Sequence, residues 1–241
     1  MFNIYLKEIN SFLSSLIAYI VIAVFLVAMG LLVWVFPETN VIDYGYADMG
    51  TFFSMGPFVL MFLIPAITMK MIAEEVNSGT IEILIVKPVT KLQVILGKYF
   101  AALTLVVVAI MPTIVYYYSL YQLSSPIGNI DTAGIAGSYV GLLLLSSVFC
   151  ALGILSSSLT KNQVVAFILA TFLSFILFTG LNSLAGINVW SSISLPLSKL
   201  SLEYHYHAIG KGLLDSRDII YFISVSAVLL YISKLTLSYK K

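Results

Sequence analysis

Leu16-Ile-Ala-Tyr-Ile-Val-Ile-Ala-Val-Phe-Leu-Val-Ala-Met-Gly-Leu-Leu-Val-Trp-Val-Phe36 contains no charged side chain. A helix needs roughly 20 predominantly apolar residues to cross about 30 Å of hydrocarbon, and this run is long enough. It is too long for the apolar region of a secretory signal, about 7–15 residues, and no small-residue cleavage site follows it. It therefore reads as a membrane span. Working outward, similar stretches recur, and spans are expected near 13–36, 51–70, 99–121, 134–158, 163–184 and 217–238. Of the 241 residues, 60% are hydrophobic and 10% charged. Soluble domains carry about 25% charged residues, so an ordinary soluble enzyme is excluded. The connections are too short to build a separate soluble domain, and residues 1–241 read as one all-α membrane domain.

The net charge of +1 offers no bulk attraction to nucleic acid, so the placement of the few charges is what carries information. Nine of the 12 basic residues, Lys7, Lys70, Lys87, Lys91, Lys98, Lys161, Lys234, Lys240 and Lys241, fall in one alternating set of connections. Lys199, Lys211 and Arg217 fall in the other, with most of the acids. The positive-inside rule then places both termini in the cytoplasm, as an even number of spans requires. Trp34 and Phe36 end the first span and Tyr116, Tyr117, Tyr118 and Tyr121 the third, which suits aromatic anchoring at the headgroup layer. Cys150, the single cysteine, forms no intrachain disulfide.

Ahead of the first span, Phe2, Tyr5, Leu6, Ile9 and Leu13 recur at helical spacing with polar residues between them. One apolar face of that kind predicts a helix lying in the interface. Between the second and third spans, Asn77-Ser78-Gly79 breaks the outgoing helix, because glycine accepts the left-handed conformation that ends helices. Ser78 or Thr80 can cap a short new helix with Ile81, Leu84 and Ile85 on its apolar side and Glu82 on its polar side. Pro88 ends it. Thr90-Lys-Leu-Gln93 has the spacing of a capping box and starts the next helix. So short an amphipathic helix needs a surface to cover its apolar face, either the membrane or the groove of a soluble partner.

Glu74-Glu75, Ser78-Gly79-Thr80-Ile-Glu82, Leu84, Lys87-Pro88-Val89 and Gly97-Lys98 resemble, in order and spacing, the cytoplasmic signature of ABC-2 type permeases. The resemblance implies six spans, an interfacial amino-terminal helix and a coupling helix that docks on a separate ATPase, two copies per complex. It implies ATPase-coupling roles for Glu74, Glu75, Gly79, Thr80, Glu82, Leu84, Ile85 and Pro88. The segment with His205, His207, Gly212, Asp215, Arg217 and Asp218 is similar to the external re-entrant segment before span six. Its Gly-Leu-Leu-Asp and Arg-Asp pattern is especially like the small permease of the subgroup associated with bacterial gliding motility. That implies the bacterial cytoplasmic membrane and a larger second permease with an extracytoplasmic domain.

The chain has no Gly-x-x-x-x-Gly-Lys-Ser/Thr, so ATP and Mg are expected on the partner and no cofactor in this chain. Hydrolase and protease motifs are absent, which makes a non-catalytic subunit the expectation. Glu203, His205 and His207 supply too few ligands to claim a metal. The alternatives are an ion-coupled secondary transporter, disfavoured because the span centres carry no Asp, Glu or His, and a non-transporting scaffold. Lys70, Lys98 and Lys234 are expected to snorkel from the span ends. Pro57, Pro65 and Pro112 can kink their spans. Gly137-x-x-x-Gly141 has the spacing of a helix-dimer motif.

Overall fold

A computed structural model describes residues 1–44, 47–80, 89–186, 194–210, 212 and 215–239. Among them the chain forms helices and no strand. The first half comprises α1 (Phe2–Leu13), α2 (Leu16–Trp34), α3 (Val41–Tyr44), α4 (Gly50–Asn77), α5 (Lys91–Ile110) and α6 (Ile114–Leu123). The second comprises α7 (Thr132–Leu159), α8 (Gln163–Phe175), α9 (Leu181–Ala185), α10 (Ser194–Lys199), α11 (Leu202–Gly210) and α12 (Ser216–Tyr239). A 3-10 turn at Met111–Thr113, holding Pro112, joins α5 to α6, and a π turn at Ile176–Gly180 joins α8 to α9. Pro57 and Pro65 lie inside α4, which runs on past both.

Six helical stretches are long and apolar enough to cross a bilayer: Leu16–Trp34, Gly50–Asn77, Lys91–Leu123, Thr132–Leu159, Gln163–Ala185 and Ser216–Leu237. All six expected spans are therefore present. α7 is the most deeply buried, α4 and the α5–α6 stretch flank it, and α2, α8 and α12 leave most of their surface facing outward. That outer surface is apolar, with Ile20, Val24, Phe172, Ile223 and Tyr231 among its exposed residues. A water-soluble protein would hide such a surface, and in a bilayer it meets lipid.

Lipid gives no hydrophobic drive for helices to associate, so close packing of small residues must supply the contact. α7 provides it. A Cβ added at Gly153 would lie 2.1 Å from Thr68 Oγ1, so α4 crosses α7 where a side chain is missing. Further along, a Cβ at Gly137 would meet the Ile209 carbonyl at 3.1 Å, and one at Gly141 the Ile209 side chain at 3.2 Å. The Gly137-x-x-x-Gly141 stripe is thus occupied by α11 of the same chain.

The aromatic residues at the end of the third span are used unequally. Tyr116 is half-buried, donates to the Leu26 carbonyl at 3.1 Å and meets Trp34 edge-on, which fastens the α5–α6 stretch to α2. Tyr118 and Tyr121 remain exposed, as anchoring residues would.

Gly153→Val should lower the melting temperature of the purified chain in detergent, because overfilling a packed site costs about 1–3 kcal/mol. Gly180→Ala, whose Cβ meets nothing closer than 3.7 Å, should leave it unchanged. Equal melting of both variants would show that the α4–α7 crossing is not this tight.

Candidate functional site

The two ends of the 78–90 segment are built as their residues dictate. α4 stops at Asn77, Ser78 caps it while its hydroxyl donates to the Glu74 carbonyl at 2.8 Å, and Gly79 follows with φ 72°. A side chain at that φ would be strained, which is why glycine ends the helix. Thr90 opens α5 with a complete capping box: Thr90 Oγ1 accepts from the Gln93 N–H at 3.3 Å, and Gln93 Oε1 accepts from the Thr90 N–H at 3.0 Å. Glu82, Leu84, Ile85 and Pro88 lie outside the described residues, as does the expected short helix.

Beneath these two ends sits a cluster of four charges. Lys98 Nζ lies 2.8 Å from Glu75 Oε2 and 2.8 Å from Glu8 Oε1, and donates to the Met71 carbonyl at 2.6 Å. Lys7 Nζ lies 2.8 Å from Glu75 Oε1. Lys98 thus donates to Glu8 and to the Met71 carbonyl, and it faces the Glu75 carboxylate as an ion pair. Two cations face two anions, and the cluster is neutral. Three elements contribute to it: α1 gives Lys7 and Glu8, α4 gives Glu75, and α5 gives Lys98.

Lys98 was expected to snorkel, and it does not. Its side chain is fully buried, because α1 lies across it. Gly97 permits that approach, since a Cβ there would meet Ile4 at 3.1 Å and the Met1 carbonyl at 3.2 Å. Glu75, grouped by resemblance with the docking residues, turns inward into this cluster, whereas its neighbour Glu74 is exposed. The Lys7 ammonium is held above its ordinary range: burial opposes its charge, and the carboxylates of Glu75 and Glu8 outweigh the burial. A raised ammonium contributes stability in full below its unfolded value and loses it only as the pH climbs through the folded one. The charge of Lys7 is therefore constant across the neutral range.

The α1 helix has the expected amphipathic character with a shifted face. Ile4 and Phe12 pack inward, while Phe2, Leu6 and Leu13 remain exposed, the disposition of a helix lying in an interface. Tyr5 adds a hydroxyl contact to Thr104 at 3.2 Å.

Ser157 on α7 completes the arrangement. Its Oγ accepts from the Ile72 and Ala73 N–H groups at 3.0 Å each and donates to the Met69 carbonyl at 2.9 Å. A side chain from the central span thus enters the backbone ladder of α4 just before Glu75. Nothing in the spacing of Ser156-Ser157-Ser158 announces this; the signal is three consecutive hydroxyls in an apolar span.

At the opposite face, α11 is pinned from several sides. The Tyr206 hydroxyl donates to the Phe53 carbonyl at 2.7 Å, and Ser201 donates to the Phe178 carbonyl in the π turn at 2.6 Å. His205 stacks on Tyr221, with Nδ1 2.6 Å from Asp218 Oδ1 and Nε2 2.8 Å from the Lys199 carbonyl. His207 diverges from it around the helix and is exposed, 3.7 Å from Glu203. Gly212, at φ 79°, lies against Gly134, and Asp215 accepts from the Arg217 N–H at 2.9 Å to start α12. The described first part of the expected segment, up to Gly210, is therefore a helix packed on α7. Among the described residues, no group of His, Cys, Asp and Glu could hold a metal.

Six spans around a small-residue core, an interfacial leading helix and a charge cluster at the root of the 78–90 segment define a polytopic membrane subunit without a catalytic constellation among the described residues. Residues 40–212 match the family model described as ABC-2 family transporter protein, and the chain belongs to that family. It is a membrane-spanning permease subunit of an ABC transporter. No curated relative matches the chain.

Lys98→Met should destabilise the chain by about 1–3 kcal/mol, since it leaves the half-buried carboxylates of Glu8 and Glu75 with Lys7 as the one cation between them. Adding Glu75→Gln restores neutrality and should recover a substantial part of the loss in thermal melts. Strictly additive losses would show that the two side chains act independently.

Proposed function

We propose that the 78–90 segment is the point at which a separate ATPase, present in two copies, drives this permease. The observation that carries the reading is the neutral charge cluster at the segment's root. The segment leaves α4 just beyond Glu75 and re-enters α5 just before Lys98, and these two residues are bonded to each other and to α1. A push on the segment therefore reaches two spans and the interfacial helix together, and Ser157 passes the displacement of α4 to the central span. Thr80, Glu82, Leu84 and Ile85 form the contact surface in this reading, and Gly79 and Pro88 delimit it. ATP and Mg belong to the partner, and this chain makes and breaks no bond.

The excess of Lys and Arg on the α1 side supports a cytoplasmic placement of both termini. Its likeness at His205–Asp218 supports the small-permease role in the gliding-motility subgroup, with a larger second permease completing the pathway in the bacterial cytoplasmic membrane. In such a complex the output is movement of a solute or force on an extracytoplasmic protein.

Leu84→Asp with Ile85→Asp should leave the chain in the membrane and abolish its cross-linking to the ATPase. Retained cross-linking would sink the docking assignment. Transport in proteoliposomes should not follow an imposed proton or sodium gradient when the ATPase is omitted, because the span centres carry no Asp, Glu or His to couple an ion. Gradient-driven uptake by the chain alone would establish ion coupling instead.

A further inference from the structure

Two cavities lie end to end along one face of α4. The inner one, about 260 Å³, lies between α2, α4 and α8, and every side chain in its wall is apolar, including Val21, Phe25, Val59, Leu63, Ala66 and Phe167. It opens sideways through the outer surface, where its rim residues Ile20, Val24 and Phe62 are exposed. The outer cavity, about 430 Å³, lies between α1 and the last turns of α4, with Ser11, Ser15, Lys70 and Glu74 in its wall. Ala66 and Lys70 are four residues apart, so they share a helix face one turn from each other, and Glu74 continues the stripe by another turn. The two cavities therefore follow one stripe of α4, a furrow that is apolar beside Ala66 and polar beyond it, with Lys70 at the boundary.

The charges of the polar part are not equivalent. Glu8 and Glu75 are matched by Lys7 and Lys98. Lys70 and Glu74 stand outside those ion pairs, and the Lys70 ammonium rests over the Phe12 ring, 5.2 Å from its centre. Moving outward from the apolar cavity, a ligand thus meets first a cation and then, about 6 Å further along the helix axis, an anion. A phospholipid with a zwitterionic headgroup presents the complementary order: acyl chain, phosphate, then amine. A primary ammonium donates up to three hydrogen bonds to a carboxylate and to hydroxyls such as Ser11 and Ser15, whereas a quaternary ammonium donates none.

We propose that this furrow binds one ethanolamine phospholipid from the leaflet at the α1 side, with an acyl chain between α2, α4 and α8, its phosphate at Lys70 and its ammonium at Glu74. The site depends on the chain lying in a bilayer and not on ATPase docking. A lipid held there bridges α1, α2 and α4 beside the charge cluster.

The test is native mass spectrometry of the purified, delipidated full chain, offered equal amounts of phosphatidylethanolamine, phosphatidylcholine and phosphatidylglycerol with identical acyl chains. The wild type should retain the ethanolamine lipid about threefold over the choline lipid, the scale of one net hydrogen bond, since both headgroups carry the positive charge. Glu74→Gln, at an exposed position, should bring that ratio to about one. Ala66→Phe, which fills the apolar cavity without altering a charge, should remove the bound lipid of every headgroup, with a thermal melt confirming that the variant is folded. Equal retention of ethanolamine and choline lipids by the wild type overturns the headgroup assignment, as does a preference for the glycerol lipid. Unchanged retention by a folded Ala66→Phe variant overturns the site.

Discussion

A lysine buried at the edge of the hydrocarbon must have its charge and all its protons answered, because no water is there to do so. Lys98 is answered by Glu75, Glu8 and the Met71 carbonyl, and the architecture of that end of the molecule follows from it. The interfacial helix has to lie across α5 to bring Glu8 within reach, which requires Gly97 at the contact. α4 has to continue well beyond the hydrocarbon to deliver Glu75, which places the 78–90 segment at the end of a stiff extension instead of on a slack loop. Replacing such a cluster by apolar residues is often neutral or stabilising in other proteins. Its value here is therefore positional: it fixes α1, α4 and α5 relative to one another at the root of the 78–90 segment.

The second constraint is the lack of a hydrophobic drive between helices in lipid. α7 meets it with glycines that let α4 and α11 come close and with a serine that bonds directly into the backbone of α4. The same span therefore bonds into α4 just before Glu75 at one end and meets the packed α11 at the other. α4 and α11 thus both pack closely on α7, at Gly153 and at Gly137 and Gly141 respectively.

At the opposite end of the bundle, the polar residues before the last span also serve packing. His205, Asp218, Tyr221 and Ser201 hold α11 against α12 and the π turn, and Tyr206 reaches the α4 backbone. This closes that end of the bundle with specific bonds.

The six spans, the helix break at Gly79 and the capping box at Thr90 are legible in the chain because each depends on local properties: apolar length, the conformational freedom of glycine, and a hydroxyl three residues before a glutamine. The amphipathic character of α1 is legible for the same reason, although its buried face is shifted towards Ile4 and Phe12. Sequence alone misplaced Lys98 at the lipid edge and grouped Glu75 with surface residues, since a lone charge near a span end gives no sign of a helix folded over it. The occupant of the Gly137-x-x-x-Gly141 stripe, the bonds of Ser157 and the furrow along α4 were equally hidden. Those depend on which residues distant in the chain become neighbours, and in a membrane that choice is made by close packing and the pairing of buried polar groups, which only the assembled tertiary structure decides.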